Sequence, residues 1–388
     1  MFIIDLPYMS RFLNETIIKN AFDVIDTPHA QELLDGNINY ISQSDAIEYI
    51  RKTENPKIYT SSENSIDWLE THIAFSSLPE YVRLFKNKGK FRDLLKTAYP
   101  DFHYKVFDLE QLDSLDISEL SFPFVIKPTT GFFSLGVYRV DNAGQWQETK
   151  AKIKQEITQV SNLYPAAVLD LSSFIIEQCI QGQEYAVDVY FNEDGQPVIL
   201  NILQHVFSCN ADVSDRVYLT SKDVILENLN KFDDFLKMLS SRIKLINFPM
   251  HMEVRIDNDG NLMPIEINPM RFGGWCTTGD FTNYCFGFNS YECFFNDIKP
   301  DWQEILKDKD DYVYSLIVLN NSTGTAGHKI NEFDYDSLLA NFENPLEIRK
   351  INHKEFPLFG FLFTQTHKNN YGEIQNILES DLSEFIIE

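Results

Sequence analysis

The sequence predicts a multidomain chain of mixed α/β and α+β class, on three observations. Short apolar runs alternate with amphipathic stretches over the first 110 residues, and strand pairs separated by Gly-containing turns fill the middle. At 388 residues the chain is also too long for one simple core.

The opening segment supplies the alternation. FIID (2–5) and FDVID (22–26) are apolar runs, and Ser10 is placed to cap the amphipathic stretch between them. Thr27-Pro28 opens a helix-like stretch that ends near Gly36, with Pro at the start and Gly at the end. Helical periodicity at 44–52 and 66–75 flanks a strand at 57–60. A small parallel-sheet α/β domain over 1–110 follows, with no GxGxxG fingerprint for a dinucleotide. From about 120 to 298 the pattern becomes antiparallel hairpins interrupted by helical stretches at 142–160 and 222–245. The tail, 301–388, shows strands at 314–319 and 358–363 with helical stretches near 334–340 and 373–380, and reads as a small appended α+β module.

Composition excludes several functions. Thirty-three basic against 58 acidic side chains give a net charge of −25, a field that repels nucleic-acid backbones and anionic lipid. Screening confines that repulsion to about 8–10 Å, so a local cation cluster still attracts an anion. Five scattered cysteines without a CxxC pair argue for reduced thiols. MFIIDLPYMSRF lacks the pattern of a signal peptide, and no apolar run reaches the roughly 20 residues of a membrane span. A cytoplasmic location is expected.

Chemistry concentrates in three segments. In MHMEVRIDNDGNLMPIEINPMRFGG (250–274), Asp259-Gly260 between alternating runs predicts a two-residue type I′ turn. Pairing Asn258 with Asn261 and counting outward sets Glu253 opposite Glu266 and His251 opposite Asn268, with Arg255 on the same face. Two opposed carboxylates repel unless a cation lies between them. With an amide oxygen they form a hard-oxygen set suited to Mg²⁺. Asn268-Pro269 then delivers Arg271 and a Gly273-Gly274 turn. In FPFVIKPTTGFFSLGVYRV (122–140), an apolar strand ends at Lys127, and Gly131, Ser134 and Gly136 lie in the loop that follows, where backbone N–H groups approach a phosphate most closely. In FIIEQCIQGQEYAVDVYF (174–191), Glu177 and Glu184 flank a bend at Gly182. A solvated hairpin face, a long hairpin loop and two surface acids explain the three segments singly. Their order separates these explanations from a nucleotide site.

Read along the chain as a Lys strand with a Gly loop, then the acidic bend, then the Glu…Glu-x-Asn hairpin, the motifs resemble the ATP-grasp superfamily, in particular its carboxylate–amine ligases, over about 85–300. The resemblance implies an ATP-grasp fold of two α+β subdomains clasping ATP, a nucleotide lid at 111–182 and a metal-binding core at 183–300. It places Lys88 and Lys127 on the nucleotide phosphates, with Lys90 close enough to compete with Lys88. Gly131, Ser134 and Gly136 form the closing loop, to which Phe132 and Phe133 add bulk. Glu177 and the backbone at Cys179 and Ile180 hold adenine, and Glu184 holds ribose. Glu253, Glu266 and Asn268 hold Mg²⁺ (or Mn²⁺), and Arg271 steadies the transferred phosphate. Met270 departs from the family's Asn-Pro-Arg, and His251 stands where some relatives carry arginine. The implied activity activates a small-molecule carboxylate as an acyl-phosphate and joins it to an amine, an amino acid or peptide among the candidates. The other readings are a non-catalytic ATP- or ADP-binding regulatory subunit and a small-molecule phosphotransferase.

Overall fold

The computed structural model describes residues 1–118, 120–131, 136–160, 170–208 and 215–387. The chain forms two compact units, one from 1–9, 17–182 and 263–271, the other from 10–16, 183–262 and 272–388. This division does not fall at 110 or at 300.

The first unit begins with the expected parallel sheet. Its strands run in the order Asn39–Ile41, Asp23–Ile25, Phe2–Ile3, Tyr59–Thr60, all parallel. The helix starts follow from their caps. Thr27 Oγ1 accepts from the Ala30 N–H at 3.1 Å ahead of Pro28–Leu33, and Ser42 caps Gln43–Lys52 through the Asp45 N–H. The helices Ile66–His72, Leu78–Lys86 and Lys88–Leu95 lead to a second, antiparallel sheet. Its order is Tyr104–Asp108, Asp170–Gln178, Phe124–Thr130, Tyr138–Val140. The helix Trp146–Val160 buries Trp146 and Ile153 in the core of that sheet, among Phe107, Phe124, Ile126 and Phe174.

In the second unit seven antiparallel strands run in the order Phe248–Ile256, Gln183–Phe191, Pro197–Val206, Val217–Ser221, Tyr312–Asn320, Leu358–His367, Pro345–Lys350. The strands of 301–388 therefore do not form an appended module. They continue the sheet that begins at Gln183, with Val217 opposite Ile317 and Leu316 opposite Phe363. The reason is burial. Ile317, Leu362 and Phe363 are fully enclosed, with Phe281 of the helix Thr277–Phe286 packed on Phe363 at 5.6 Å between ring centres. Ile330, Phe333, Phe359, Leu362 and Ile374 complete one core. Among the described residues no helix is long and apolar enough to cross a membrane. Cys179, Cys276, Cys285 and Cys293 are free thiols, and Cys209 lies outside the described residues.

At Gly360 two strands of this sheet approach closely. A Cβ there would fall 2.1 Å from the Arg349 carbonyl oxygen of the adjacent strand. Gly360→Ala is expected to cost about 3 kcal/mol, because backbone rather than a mobile side chain must move. Denaturant unfolding of the variant checks it.

Candidate active site

Five cations and three carboxylates meet in the interior of the first unit. Their placement starts with the helix Lys88–Leu95, capped by Asn87, whose side chain accepts from the Lys90 N–H at 3.0 Å. Gly89 packs against Val106, where a Cβ would meet Val106 Cγ2 at 2.7 Å, so the helix lies close to the strand Tyr104–Asp108. Lys88 and Arg92, four residues apart, share the inward face, whereas Lys90 is exposed. Lys88 Nζ lies 3.1 Å from Glu266 Oε2 and donates to the Gly131 carbonyl at 3.4 Å. Lys88 thus joins the buried cluster and Lys90 does not.

Arg92 and Lys127 enclose Glu177. Arg92 Nε donates to Oε2 at 2.8 Å and Lys127 Nζ to Oε1 at 2.5 Å, with 3% of the Glu177 side chain exposed. Arg92 also donates to the carbonyls of Pro264 and Ile265. Burial pushes the Glu177 carboxyl up, but Arg92 and Lys127 together outweigh it and hold it at about 2. The Lys127 ammonium is pushed down by burial and by its neighbours Lys88 and Arg92, against the pull of Glu177. Cys179, expected beside adenine, donates its N–H to the Pro123 carbonyl at 3.3 Å.

Arg271 reaches the cluster through a kink. The residue inserted before it, Met270, adopts left-handed backbone at φ 67°, and its carbonyl accepts from both the N–H (2.8 Å) and the hydroxyl (3.2 Å) of Thr60. Arg271 Nη2 then meets Glu63 Oε1 at 2.5 Å, while Glu63 Oε2 accepts from Lys86 at 2.6 Å. Burial raises the Glu63 carboxyl, yet Lys86 and Arg271 hold it at about 2. Glu266 is likewise held at about 2, burial being overcome by Lys88, Lys86 and Lys127. Lys86, Lys88, Arg92, Lys127 and Arg271 exceed Glu63, Glu177 and Glu266 by two positive charges, in a chain of net charge −25.

The metal hairpin needs a correction. The turn is not a two-residue type I′ turn closed by 258 and 261. The Asp257 N–H donates to the Asn261 carbonyl and the Gly260 N–H to the Asp257 carbonyl, both at 3.0 Å. Gly260 alone is left-handed (φ 82°), whereas type I′ requires Asp259 to be so as well. The Asp257 carboxylate accepts from the N–H groups of Asp259 and Asn261, which selects the three-residue loop. The closing pair is therefore 257 and 261 rather than 258 and 261. Among the described residues, no three His, Cys, Asp or Glu side chains converge as a metal cage. Glu266 and Asn268 do converge, Asn268 Nδ2 lying 3.4 Å from Glu266 Oε1. A carboxylate beside an amide fits a hard divalent ion in donor chemistry, and Lys88 already sets a cation against that carboxylate.

In the second unit, pairing of Phe248–Ile256 with Gln183–Phe191 sets His251, Glu253 and Arg255 opposite Asp188, Ala186 and Glu184. Met250, Met252 and Val254 are buried on the other face, as their alternation predicts. Glu184 accepts from Arg255 Nε at 2.9 Å and lies 3.1 Å from His205 Nδ1. Burial raises its carboxyl, but these two partners bring it below the ordinary range. Cys276 is packed, its thiol pushed up to about 12 by burial and by Asp280. Gly136 adopts φ 71° and donates its N–H to Glu156 at 3.1 Å. Phe132, Phe133 and Ser134 lie outside the described residues. Sequence reasoning missed Arg92, Lys86 and Asp188. The i,i+4 spacing of Lys88 and Arg92 was an available signal; nothing local marks the other two.

Residues 120–279 match the ATP-grasp domain family. This segment is an ATP-grasp domain. No curated protein matches the chain in sequence. The fold resembles that of an L-amino acid ligase from Bacillus licheniformis (TM-score 0.69, 18% identity, covering 100% of this chain and 97% of that one). It also resembles the N5-carboxyaminoimidazole ribonucleotide synthetase of Thermotoga maritima (0.61, 16%, 97% and 96%). A third likeness is the biotin carboxylase domain of Hydrogenobacter thermophilus 2-oxoglutarate carboxylase, in complex with MgADP, ADP and bicarbonate (0.62, 12%, 94% and 86%). All three likenesses extend over nearly the whole of this chain, well beyond residues 120–279.

The Glu177 ion pairs predict an acid dependence. Its value in the folded chain, about 2, is below its ordinary 4.5. The contribution is therefore fully present above pH 4.5 and lost as the pH falls toward 2. The stability gap between the parent chain and Glu177→Gln should be on the order of 3 kcal/mol at pH 6 and should narrow steadily below about pH 4.5 in denaturant melts.

Proposed function

We propose that the chain is an ATP- and Mg²⁺-dependent ligase that activates a small-molecule carboxylate as an acyl-phosphate and condenses it with an amine. The observation that carries this reading is the surplus of two positive charges among Lys86, Lys88, Arg92, Lys127 and Arg271, buried in an otherwise strongly acidic chain. The three motif segments that supply or flank these residues stand along the chain in the order used by ATP-grasp ligases.

In this reading Lys88 and Lys127 bind the ATP phosphates, Gly131, Ser134 and Gly136 cover them, and Glu177, Cys179, Ile180 and Glu184 border the nucleoside. Glu266 and Asn268 hold Mg²⁺, joined by Glu253 on the family pattern alone. When bound, the ion neutralises phosphate charge and aligns the γ-phosphoryl group. A carboxylate oxygen of the substrate attacks the γ-phosphorus as its bond to the bridging oxygen breaks and ADP leaves. Arg271, fixed beside Lys86 by Glu63, neutralises the transferred phosphoryl group. The amine nitrogen then attacks the acyl carbon, inorganic phosphate departs and the amine loses a proton. Phosphoryl transfer needs chiefly positioning and charge neutralisation, which are what a preformed cation cluster supplies.

The test is ADP release with Mg²⁺ across a panel of carboxylates and amines, with mass spectrometry of the condensed product. Glu266→Ala should lower turnover on the order of 100-fold. Undiminished turnover would sink the site assignment, and nucleotide binding without turnover across the panel would favour a regulatory subunit.

A further inference from the structure

The pair of Asp188 and His251 is buried and has no part in this scheme. Asp188, 0% exposed, accepts from His251 Nδ1 at 2.7 Å and from the Gly273 N–H at 3.2 Å, both through Oδ1. Among the described residues its other oxygen has no hydrogen-bond partner. The ring is therefore oriented by a carboxylate sealed inside the protein, in a sheet whose neighbouring positions are fixed by strand register. In the neutral ring with Nδ1 donating to Asp188, Nε2 presents its lone pair. That nitrogen points toward Glu253, 4.0 Å from Oε1, at the partly open end of the pair, where the side chains are 9% and 28% exposed.

We infer that His251 and Glu253 together form half of a divalent-ion site, in which His251 Nε2 is a directly bound nitrogen ligand and Asp188 its positioning residue. The inference rests on the assignment of Glu253 to the metal and adds a nitrogen donor to it. Two features bear on it. Two donors each about 2.1 Å from one ion lie roughly 3–3.4 Å apart at octahedral or tetrahedral angles, so the pair at 4.0 Å needs to close by about 0.6–1 Å around the ion. An imidazole that binds metal almost always gives its other N–H to a carboxylate or carbonyl, which is the part Asp188 plays. The donor set also differs from an all-oxygen cage. Imidazole nitrogen suits Mn²⁺, Fe²⁺, Co²⁺ or Zn²⁺ better than Mg²⁺, which retains water and oxygen ligands. The pair would therefore favour a transition-metal ion, with water or nucleotide phosphate in the remaining positions.

The experiment uses the full chain with Mn²⁺ alone and with Mn²⁺ plus ADP. Pulsed electron paramagnetic resonance would detect a directly bound nitrogen, and uniform ¹⁵N-histidine labelling would identify it as imidazole. The expected result is such a coupling in the parent chain, its loss in His251→Gln, and a Mn²⁺ dissociation constant raised at least about 10-fold in Asp188→Asn. Absence of nitrogen coupling in both states overturns the inference, as does coupling that persists in His251→Gln. The parent-chain spectrum decides even where a variant folds poorly. Mn²⁺ bound with ADP through oxygen alone would remove the nitrogen ligand while leaving the ligase reading intact. Turnover unaffected by Glu266→Ala would remove the ligase assignment without bearing on the spectrum.

Discussion

Glu177 lies between Arg92 and Lys127 with almost none of its side chain in water, and the polar interior of the first unit is arranged around that contact. Arg92 comes from the helix Lys88–Leu95, Lys127 and Glu177 from adjacent strands of the antiparallel sheet, so one carboxylate fastens helix to sheet. Removing one member of such a buried group leaves an uncompensated charge, at a cost of about 3–5 kcal/mol. The same fastening brings Lys88, the residue one helical turn from Arg92, against Glu266. Structure and electrostatics are therefore not separable here. The interactions that hold the helix in place also concentrate positive charge.

That concentration runs against the charge of the chain as a whole. Long-range repulsion of an anionic ligand is screened within about 10 Å, and inside that range the local surplus dominates. Glu63, Glu177 and Glu266 prevent the five cations from repelling one another without cancelling them. An incoming phosphate would find its counter-charges already positioned, so little reorganisation accompanies binding.

Much of this was legible in the residue pattern. The cap at Ser10, the helix start at Thr27-Pro28, the parallel arrangement of the first sheet and the inward faces of the hairpins follow from local rules of capping and alternation. What local rules missed has identifiable causes. The turn at 257–261 went astray because the Asp257 carboxylate chose between two loops that Asp-Gly alone does not distinguish. The separateness of 301–388 was overestimated because an antiparallel sheet accepts strands from any distance in sequence, and burial of Ile317 and Phe363 is visible only once the neighbours are in place. The ion pairs of Arg92 with Glu177 and Arg271 with Glu63 span 85 and 208 residues. No periodicity encodes contacts of that separation.

The kink at Met270 has a consequence for modular exchange. An extra residue between Pro269 and Arg271 would ordinarily rotate the guanidinium away from its place. Here the insertion is absorbed by one left-handed residue, whose carbonyl is gripped twice by Thr60 at the end of the first sheet. The arginine's address is thus written partly in the amino-terminal segment. A chimera that replaced residues 1–110 would remove both the Thr60 grip and Glu63 unless the incoming segment supplied them. Grafting this hairpin elsewhere would have to carry Thr60 and Glu63 along with it.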